Sequence, residues 1–390
     1  MSEAVIVAAV RSAIGKKKGS LAATRADDLL ALVLRSVVER AGVEPKHVDD
    51  VITGCVTEIG EQGFNVSRTA ALMAGFPVEV TGTTVNRQCG SSQQAFHFAA
   101  QAVLAGAQDA VIAAGVESMS RVPMGSDAAM GVPGVAAAIP FSNMFNDKFA
   151  FVPQHSSAEM IAEKWGISRQ ECERFSYESH QRAARAREQG RFKDEIVSLK
   201  VKNAEGAELS FDADEGIRPD TTLEKLATLK PVVKPDGVVT AGTSSQISDG
   251  AAAILVTSAE KAKQLGLKPR ARVVATTVAG VDPTMMLHGV IPATQKALHK
   301  AGLKKSDIGL VEINEAFAVV PLAWSKELGW DLENVNVNGG AVALGHPLGC
   351  SGARLMTTLL HEMEKRGVRY GLQTMCIGFG QATATIIERL

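Results

Sequence analysis

The sequence is poor in aromatic residues, has no excess charge of either sign and contains no long apolar run. Of its 390 residues 5% are aromatic, and the formal net charge is -1. Without a basic patch interleaved with aromatic side chains, nucleic acid is not an expected partner. Without an apolar run of about 20 residues, no membrane span is predicted. A chain of this length with 46% hydrophobic residues predicts a soluble protein of two or more domains.

Cysteine is scarce, and its spacing predicts neither disulfides nor a metal site. The five cysteines are Cys55, Cys89, Cys172, Cys350 and Cys376. No two of them have Cys-x-x-Cys spacing, and the histidines form no cluster typical of a metal site. An odd number of scattered cysteines favours reduced thiols in a reducing compartment. The strand-like segment 4–10 is too short for the apolar core of a signal peptide. The expected location is therefore the cytoplasm.

Two segments of the chain resemble each other at a fixed offset. Residues 37–54 ("VVERAGVEPKHVDDVITG") match 297–314 ("ALHKAGLKKSDIGLVEIN"), and Cys89 falls on Cys350 at nearly the same offset. Each half then reads strand, helix, strand, strand, helix, strand. The repeat predicts two α/β units related by pseudo-symmetry, instead of one dinucleotide-binding domain.

Residues 118–250 have no counterpart in the repeat. They contain a Gly/Ala/Met/Pro-rich stretch (130–145) and a charged helical stretch (168–192). Long insertions of this kind often carry binding function. We therefore expect an inserted loop domain. The predicted division is an N-terminal unit of residues 1–117 and 251–265, the insertion at 118–250, and a C-terminal unit of residues 266–390.

Cys89 stands where an apolar strand turns into a helix, in "VNRQCGSSQQAF". The free N–H groups at a helix N-terminus favour a thiolate, so a lowered pKa is expected for this cysteine. The small residues Gly90, Ser91 and Ser92 leave room for a substrate. An inert buried cysteine is the alternative. Cys350 occupies the equivalent turn of the second half, and local physics does not choose between the two.

Three further segments carry candidate chemistry. His346 lies in the Gly-rich stretch 336–353 and is either a general base or an exposed loop histidine. Asn314 and Glu315 end an apolar strand, where α/β sites are built, although Asn314 is equally a helix N-cap. Cys376 lies in an apolar strand and, taken alone, is a core cysteine.

Together the segments "NRQCGSSQQA", "NEAFA", "NVNGGAVALGHPLGCSGA" and "MCIGFG" resemble, in order and spacing, the motifs of the thiolase family. The resemblance extends over essentially the whole chain. It implies the α/β thiolase fold, in which two βαβαβαββ units pack as a five-layer αβαβα sandwich with an inserted loop domain. This agrees with the repeat in the sequence.

The resemblance also implies a role for each matching residue. Cys89 would carry the acyl group as a thioester, and His346 would activate it. Cys376 would move a proton to or from the α-carbon of the acetyl unit. Asn314 would hold a water that helps His346 bind the thioester oxygen, and the N–H groups of Cys89 and Gly378 would form a second oxyanion hole. Cys350 would be a packing residue.

Coenzyme A would be a substrate, with no metal and no bound cofactor. By the resemblance, Ser245 and Ala241 would contact its pantetheine arm, and Arg218 would lie near its adenine and phosphate, although a plain surface residue is the alternative for Arg218. The family further implies a homodimer or homotetramer. The remaining partners would be 3-ketoacyl-CoA and acetyl-CoA.

The chain departs from the usual family pattern at positions that bear on the substrate: Gln88, Ser92, Gln93, Gln154 and 243–246. Gln154 replaces a methionine that narrows the pocket of short-chain members. This favours a degradative 3-ketoacyl-CoA thiolase of the β-oxidation type, with a longer or bulkier acyl group. The alternatives are a biosynthetic acetyl-CoA C-acetyltransferase, a decarboxylating ketosynthase and a non-catalytic acyl-CoA binder.

Overall fold

A computed structural model of the chain describes residues 3–129, 141–202 and 206–390. Its strands are β1 (Ala4–Arg11), β2 (Gly15–Lys16), β3 (Asp50–Gly54), β4 (Thr81–Val85), β5 (Ala110–Ser118), β6 (Leu199–Lys202), β7 (Glu208–Phe211), β8 (Ser248–Ser258), β9 (Ala271–Gly280), β10 (Ile308–Ile313), β11 (Tyr370–Ile377) and β12 (Gln381–Arg389).

The helices connect these strands and fill the insertion. They are α1 (Ala26–Ala41), α2 (Val66–Met73), α3 (Ser91–Leu104), α4 (Ser126–Ala129), α5 (Asn143–Asn146), α6 (Gln154–Trp165), α7 (Arg169–Glu188), α8 (Leu223–Ala227), α9 (Ala259–Gln264), α10 (Val290–Ala301), α11 (Val319–Leu328), α12 (Ala341–Leu344) and α13 (Ser351–Arg366). Short 3₁₀ turns cover Pro45–His47, Gly60–Gln62, Met286–Gly289 and Lys305–Asp307.

The main sheet consists of two halves with the same strand order. Its first half runs β4-β3-β5-β8-β1, and its second half runs β10-β11-β12-β9. In each half the strands that start from the edge of the sheet are parallel (β4, β3 and β5; β10 and β11). The remaining two (β8 and β1; β12 and β9) pair antiparallel. Val335 pairs with Val311 of β10 in parallel and stands where β4 stands in the first half. The predicted pseudo-symmetry is confirmed.

Five layers result from how the helices cover the sheet. Helices α1 and α2 pack on the outer face of the first half, and α10 and α11 on the outer face of the second. Helices α3 and α13 contact each other and lie between the two halves. Strands β5 and β8 are buried along their whole length, as expected for strands covered on both faces. The α/β sandwich expected from the sequence is confirmed.

The strand and helix pattern expected for each half is incomplete. Helix α2 lies between β3 and β4, where the pattern had two strands in succession. In the second half α11 follows β10, and the isolated bridge at Val335 stands in place of the second middle strand. The expected charged helix is α7. Ser168 and Glu171 form a capping box at its N-terminus. Of the Gly/Ala/Met/Pro-rich stretch, residues 130–140 lie outside the described residues. The three-part division of the chain remains a prediction.

Candidate active site

Cys89 lies in a tight turn between β4 and α3. Helix α3 begins at Ser91, two residues further on, which confirms the predicted strand–Cys–helix turn. Gln88 has a left-handed backbone with φ of 47°, and the side-chain oxygen of Asn86 accepts its N–H at 2.8 Å. Such strain is held only where the surroundings fix it. The turn therefore places the Cys89 side chain in a fixed direction.

The Cys89 thiol is almost fully buried, and burial raises its pKa to about 11. The expectation of a lowered pKa is therefore wrong for the resting enzyme, because desolvation outweighs the helix N-terminus. The side chain of Gln154 and the backbone N–H groups of Gly378 and Cys89 act in the opposite direction as hydrogen-bond donors to the sulfur. A thiol of this kind needs a base to become a nucleophile.

His346 lies on the loop between α12 and α13 and is buried, so the exposed-loop alternative is wrong. Its Nδ1 lies 2.5 Å from the hydroxyl of Ser351, and that hydroxyl donates its proton to the carbonyl of Pro347 at 2.8 Å. The Ser351 oxygen must then accept from Nδ1–H. The hydrogen-bond network thereby assigns the tautomer in which Nε2 carries the lone pair.

Burial and the nearby Arg354 lower the pKa of His346 to about 3. The resting imidazole is therefore neutral, and its Nε2 can accept a proton. Asn314 Nδ2 lies 3.3 Å from that Nε2. The free site therefore holds a neutral thiol at Cys89 and a neutral imidazole at His346.

Ser351→Ala should lower kcat by about 10- to 100-fold, because Nδ1–H loses its acceptor and the imidazole can adopt the wrong tautomer. Ser351→Thr, which restores the hydroxyl, should recover most of the activity. Steady-state kinetics of both variants check this, with thermal denaturation as the folding control. Wild-type kcat in Ser351→Ala would show that the tautomer is fixed in another way.

Asn314 and Glu315, the polar pair at the end of β10, have different surroundings. Asn314 reaches His346, and its buried Oδ1 has no partner among the described residues. The Glu315 carboxylate accepts the Ser179 hydroxyl at 2.8 Å and the amide of Asn336 at 2.8 Å. Helix α11 begins only at Val319, so the N-cap alternative for Asn314 is wrong.

Glu315 holds the backbone that leads to His346. Besides Ser179 and Asn336, its carboxylate accepts the N–H of Val342 in α12 at 3.1 Å. A Cβ at Gly340 would lie 2.2 Å from the Glu315 carboxyl carbon, so only glycine fits there. Glu315 is therefore a positioning residue for the His346 loop.

Cys376 is buried near the end of β11, where it pairs with Ala382 of β12. Burial and the neighbouring Cys89 raise the pKa of the Cys376 thiol, whereas a hydrogen bond from the Asn314 side chain acts to lower it. Gly378, two residues further on, directs its N–H at Cys89. The structure thus brings together segments that are far apart in the sequence: those of Cys89, Asn314 and His346, and the segment that holds both Cys376 and Gly378.

Sequence reasoning missed Glu117, a buried carboxylate at the end of β5. It accepts the N–H groups of Val56 (3.0 Å), Thr57 (3.1 Å) and Gly349 (2.9 Å) and the amide of Gln62 (2.8 Å). Burial raises its pKa. Glu117 ties the loop after β3 to the loop after His346. A lone acid in the apolar run 110–118 was the available signal.

Ser92 and Gln93, two of the positions that depart from the family pattern, make structural hydrogen bonds. Ser92 accepts the N–H of Ala353 at 2.9 Å, and Gln93 exchanges hydrogen bonds with Thr385 (2.8 Å) and Thr383 (2.7 Å). These bonds join the two halves of the sandwich. Cys350 is fully buried in the middle layer, and burial raises its pKa to about 12.

Gln246, within the departing stretch 243–246, also acts on the His346 loop. Its side-chain amide donates to the carbonyls of Val342 (2.9 Å) and Ala343 (3.1 Å), and its backbone carbonyl accepts the His346 N–H at 3.1 Å. These bonds, like those of Glu315, fix the backbone that leads to His346.

The three predicted coenzyme A contacts lie at or near the surface. Ala241 and Arg218 are exposed, and Ser245 is half-buried. The Ser245 N–H donates to the Ala316 carbonyl at 2.9 Å, which connects its loop to the segment after Asn314. The coenzyme A contacts of all three residues remain predictions.

Within the described residues, no cluster of three or more histidine, cysteine or acidic side chains is suited to holding a metal ion. The same part of the chain contains no helix with both the length and the apolar character of a membrane span.

Comparisons with known proteins give one consistent family. Residues 4–260 match the family model "Thiolase, N-terminal domain", and residues 267–389 match "Thiolase, C-terminal domain". The chain is 48% identical over 393 residues to the steroid 3-ketoacyl-CoA thiolase FadA6 of Mycobacterium tuberculosis, covering all of this chain and 95% of the relative. It is 49% identical to the 3-ketoacyl-CoA thiolase of Pseudoalteromonas translucida, with both chains fully covered.

A solved structure is similar over the same length. The crystal structure of the Bacillus anthracis acetyl-CoA acetyltransferase superposes with a TM-score of 0.93 at 42% identity, covering 100% of this chain and 99% of that one.

Proposed function

This chain belongs to the thiolase family, and we propose that it is a degradative 3-ketoacyl-CoA thiolase. The reaction is CoA-dependent cleavage of 3-ketoacyl-CoA to acetyl-CoA and an acyl-CoA shortened by two carbons. The observation that carries the proposal is the convergence of Cys89, Cys376, Asn314 and His346 in one buried site.

The first half-reaction transfers the acyl group to the enzyme. His346 takes the proton of the Cys89 thiol, and the sulfur attacks the 3-keto carbon while the carbonyl electron pair moves onto oxygen. The alkoxide collapses, the C2–C3 bond breaks, and its electron pair remains on the acetyl-CoA α-carbon. Cys376 gives that carbon a proton. Covalent catalysis of this kind divides one difficult step into two easier ones.

The second half-reaction releases the acyl group. The Cys376 thiolate takes the proton of the CoA thiol, and the CoA sulfur attacks the acyl thioester. Cys89 leaves as a thiolate and receives its proton back from His346. Asn314 lies beside His346 and Cys376 and would hold the water that bonds the CoA thioester oxygen.

An aromatic cluster supports a bulky acyl group as substrate. We define it as Phe141, Phe145, Phe149, Phe151 and Phe379. Phe379 directly follows Gly378, and the rings of Phe141 and Phe151 lie 5.2 and 6.1 Å from its ring. Phe151 is 57% exposed, so apolar surface is open beside the nucleophile. Long or cyclic acyl chains would cover it.

Phe151→Ala should reduce kcat/KM about tenfold for long-chain or cyclic 3-ketoacyl-CoAs, because it removes part of an apolar acyl surface. The change for acetoacetyl-CoA should be below about threefold. Phe149→Ala, which removes a ring packed on Phe145, should have a smaller effect. Thiolysis measured over substrates of increasing length tests this, and an equal loss for every chain length would contradict it.

A biosynthetic acetyl-CoA acetyltransferase is the second candidate, favoured by the similarity to the Bacillus anthracis enzyme. Gln154, an amide next to Cys89, and the aromatic cluster support the degradative function instead. The name of the Mycobacterium tuberculosis relative makes a steroid-derived acyl group one of the cyclic substrates to test.

We further propose coenzyme A as a substrate with Ser245, Ala241 and Arg218 along its path, and no metal or bound cofactor. The enzyme would work in the cytoplasm as a homodimer or homotetramer. Residues 118–250 would be the coenzyme A-binding insertion between the two thiolase units.

A further inference from the structure

A glutamine side chain lies directly beside the nucleophile. Gln154 is the first residue of α6, and its amide hydrogen-bonds with the Cys89 sulfur. A Cβ at Gly378 would lie 3.2 Å from Gln154 Nε2 and 2.9 Å from Gln88 Oε1. The Gln154 nitrogen therefore lies close to Gly378, whose backbone N–H points at the sulfur.

Three donors thus surround one sulfur atom: the N–H of Cys89, the N–H of Gly378 and the amide of Gln154. Two of them are fixed by the backbone. The third is held by the start of α6, where Pro153 fixes the preceding backbone in an extended conformation. The Cys89 site is buried, and hydrogen bonds to a charged atom are strongest where water is excluded.

We propose that the Gln154 side-chain amide is a catalytic donor, the third member of the anion hole that the Cys89 and Gly378 N–H groups form. It would stabilise the Cys89 thiolate first and then the oxyanion that appears when the sulfur attacks the 3-keto carbon. This inference rests on the proposed function for the second of these steps only, since the thiolate forms without substrate.

The chemistry requires no further reactant. When His346 takes the Cys89 proton, negative charge develops on the sulfur, which burial disfavours. As the S–C bond forms, the charge moves to the former carbonyl oxygen, one atom beyond the attacked carbon. The Cys89 and Gly378 N–H groups would then donate to this oxygen, and the Gln154 side-chain amide would join them by a small rotation. Gln154 thus offsets the cost of ionising a buried thiol.

The test is Gln154→Met, which keeps the size of the side chain but has no N–H to donate. Gln154→Glu is the second variant, with the same shape and a negative charge in place of the donor. Gln264→Met, an exposed position on α9, controls for the substitution itself. Iodoacetamide alkylation of Cys89 is followed against pH, with the modified peptide identified by mass spectrometry and Cys89→Ser as the blank.

In Gln154→Met the apparent pKa of the Cys89 thiol should rise by about one unit, and alkylation at neutral pH should slow about tenfold. Gln154→Glu should raise the pKa further. For thiolysis, kcat should fall at least about tenfold while KM changes less than about threefold. Gln264→Met should match the wild type in every measurement.

An unchanged alkylation profile in both Gln154 variants would overturn the proposal. A rise in KM without a change in kcat or in the thiol pKa would overturn it too, because Gln154 would then only line the acyl pocket. Alkylation needs no substrate. A shifted thiol pKa in a protein whose wild type lacks thiolysis would therefore disprove the proposed function and leave the Gln154–thiolate interaction standing.

Discussion

Cys89→Ser should lower the kcat of thiolysis by at least about 10³-fold, because a serine hydroxyl at this position is a far weaker nucleophile than the thiol. Coenzyme A binding should be unchanged, since its predicted contacts lie elsewhere, at Ser245, Ala241 and Arg218. Steady-state thiolysis and isothermal titration with CoA measure the two properties separately.

Cys350→Ala is the matched control for this substitution. Cys350 occupies the equivalent turn of the second half and is fully buried in the middle layer. Its removal should change kcat by less than about threefold, with a modest loss of thermal stability from the small cavity. Unchanged turnover in Cys89→Ser would show that Cys89 is not the nucleophile. A collapse of turnover in Cys350→Ala alone would assign that role to Cys350.

Cys376→Ser should separate the two chemical tasks of the site. Thiolysis requires Cys376 to protonate the acetyl-CoA α-carbon, so its rate should fall by about 10³-fold. Exchange of labelled CoA into acyl-CoA protonates no α-carbon, so Cys376 stays a thiol throughout and His346 alone moves the proton between Cys89 and CoA. The exchange rate should therefore stay within about threefold of the wild type. Isotope exchange and thiolysis measured on the same preparation test this.

Cys89→Ser provides the contrast for Cys376→Ser, since it should lose both exchange and thiolysis. Equal losses of both activities in Cys376→Ser would contradict the role of Cys376 as the α-carbon acid and base. Retention of both would make Cys376 a core cysteine, the alternative that its apolar strand suggests.

Local sequence patterns predicted the elements that carry a strong local signal. The fixed offset between residues 37–54 and 297–314 predicted the two pseudo-symmetric halves. Two segments with the same pattern of apolar residues form the same elements and bury the same faces. Helices α2 and α11 were missed for local reasons. Eight residues of α2 are too few for a helical period to stand out. Helix α11 begins with two valines and a proline, which are unfavourable inside a helix but tolerated in its first turn.

The electrostatics of the site could not be predicted in the same way. The turn at Cys89 indicated a stabilised thiolate, whereas burial raises the pKa to about 11. Desolvation depends on how α3, α6 and β11 pack around the sulfur, and no local segment records this. For the same reason Cys376, read alone, was a core cysteine; its contacts with Cys89 and Asn314 exist only in the folded chain.

The supporting residues show a second limit. Glu117, Ser351 and Gln246 position the loops of the site through hydrogen bonds to segments distant in sequence or to backbone groups. Ser92 and Gln93, which were expected to bear on the substrate, instead join the halves of the sandwich. A residue that departs from a family motif makes different contacts from the usual residue, and only the folded structure shows with which residues.

The central claim is that this enzyme cleaves 3-ketoacyl-CoA through a Cys89 thioester. The most direct measurement supplies the purified protein with CoA and a series of linear and cyclic 3-ketoacyl-CoAs, and identifies the products by mass spectrometry. We predict equal amounts of acetyl-CoA and an acyl-CoA shortened by two carbons, with parallel double-reciprocal plots that indicate a ping-pong mechanism. Consumption of a malonyl thioester without CoA-dependent cleavage of any 3-ketoacyl-CoA would contradict the claim.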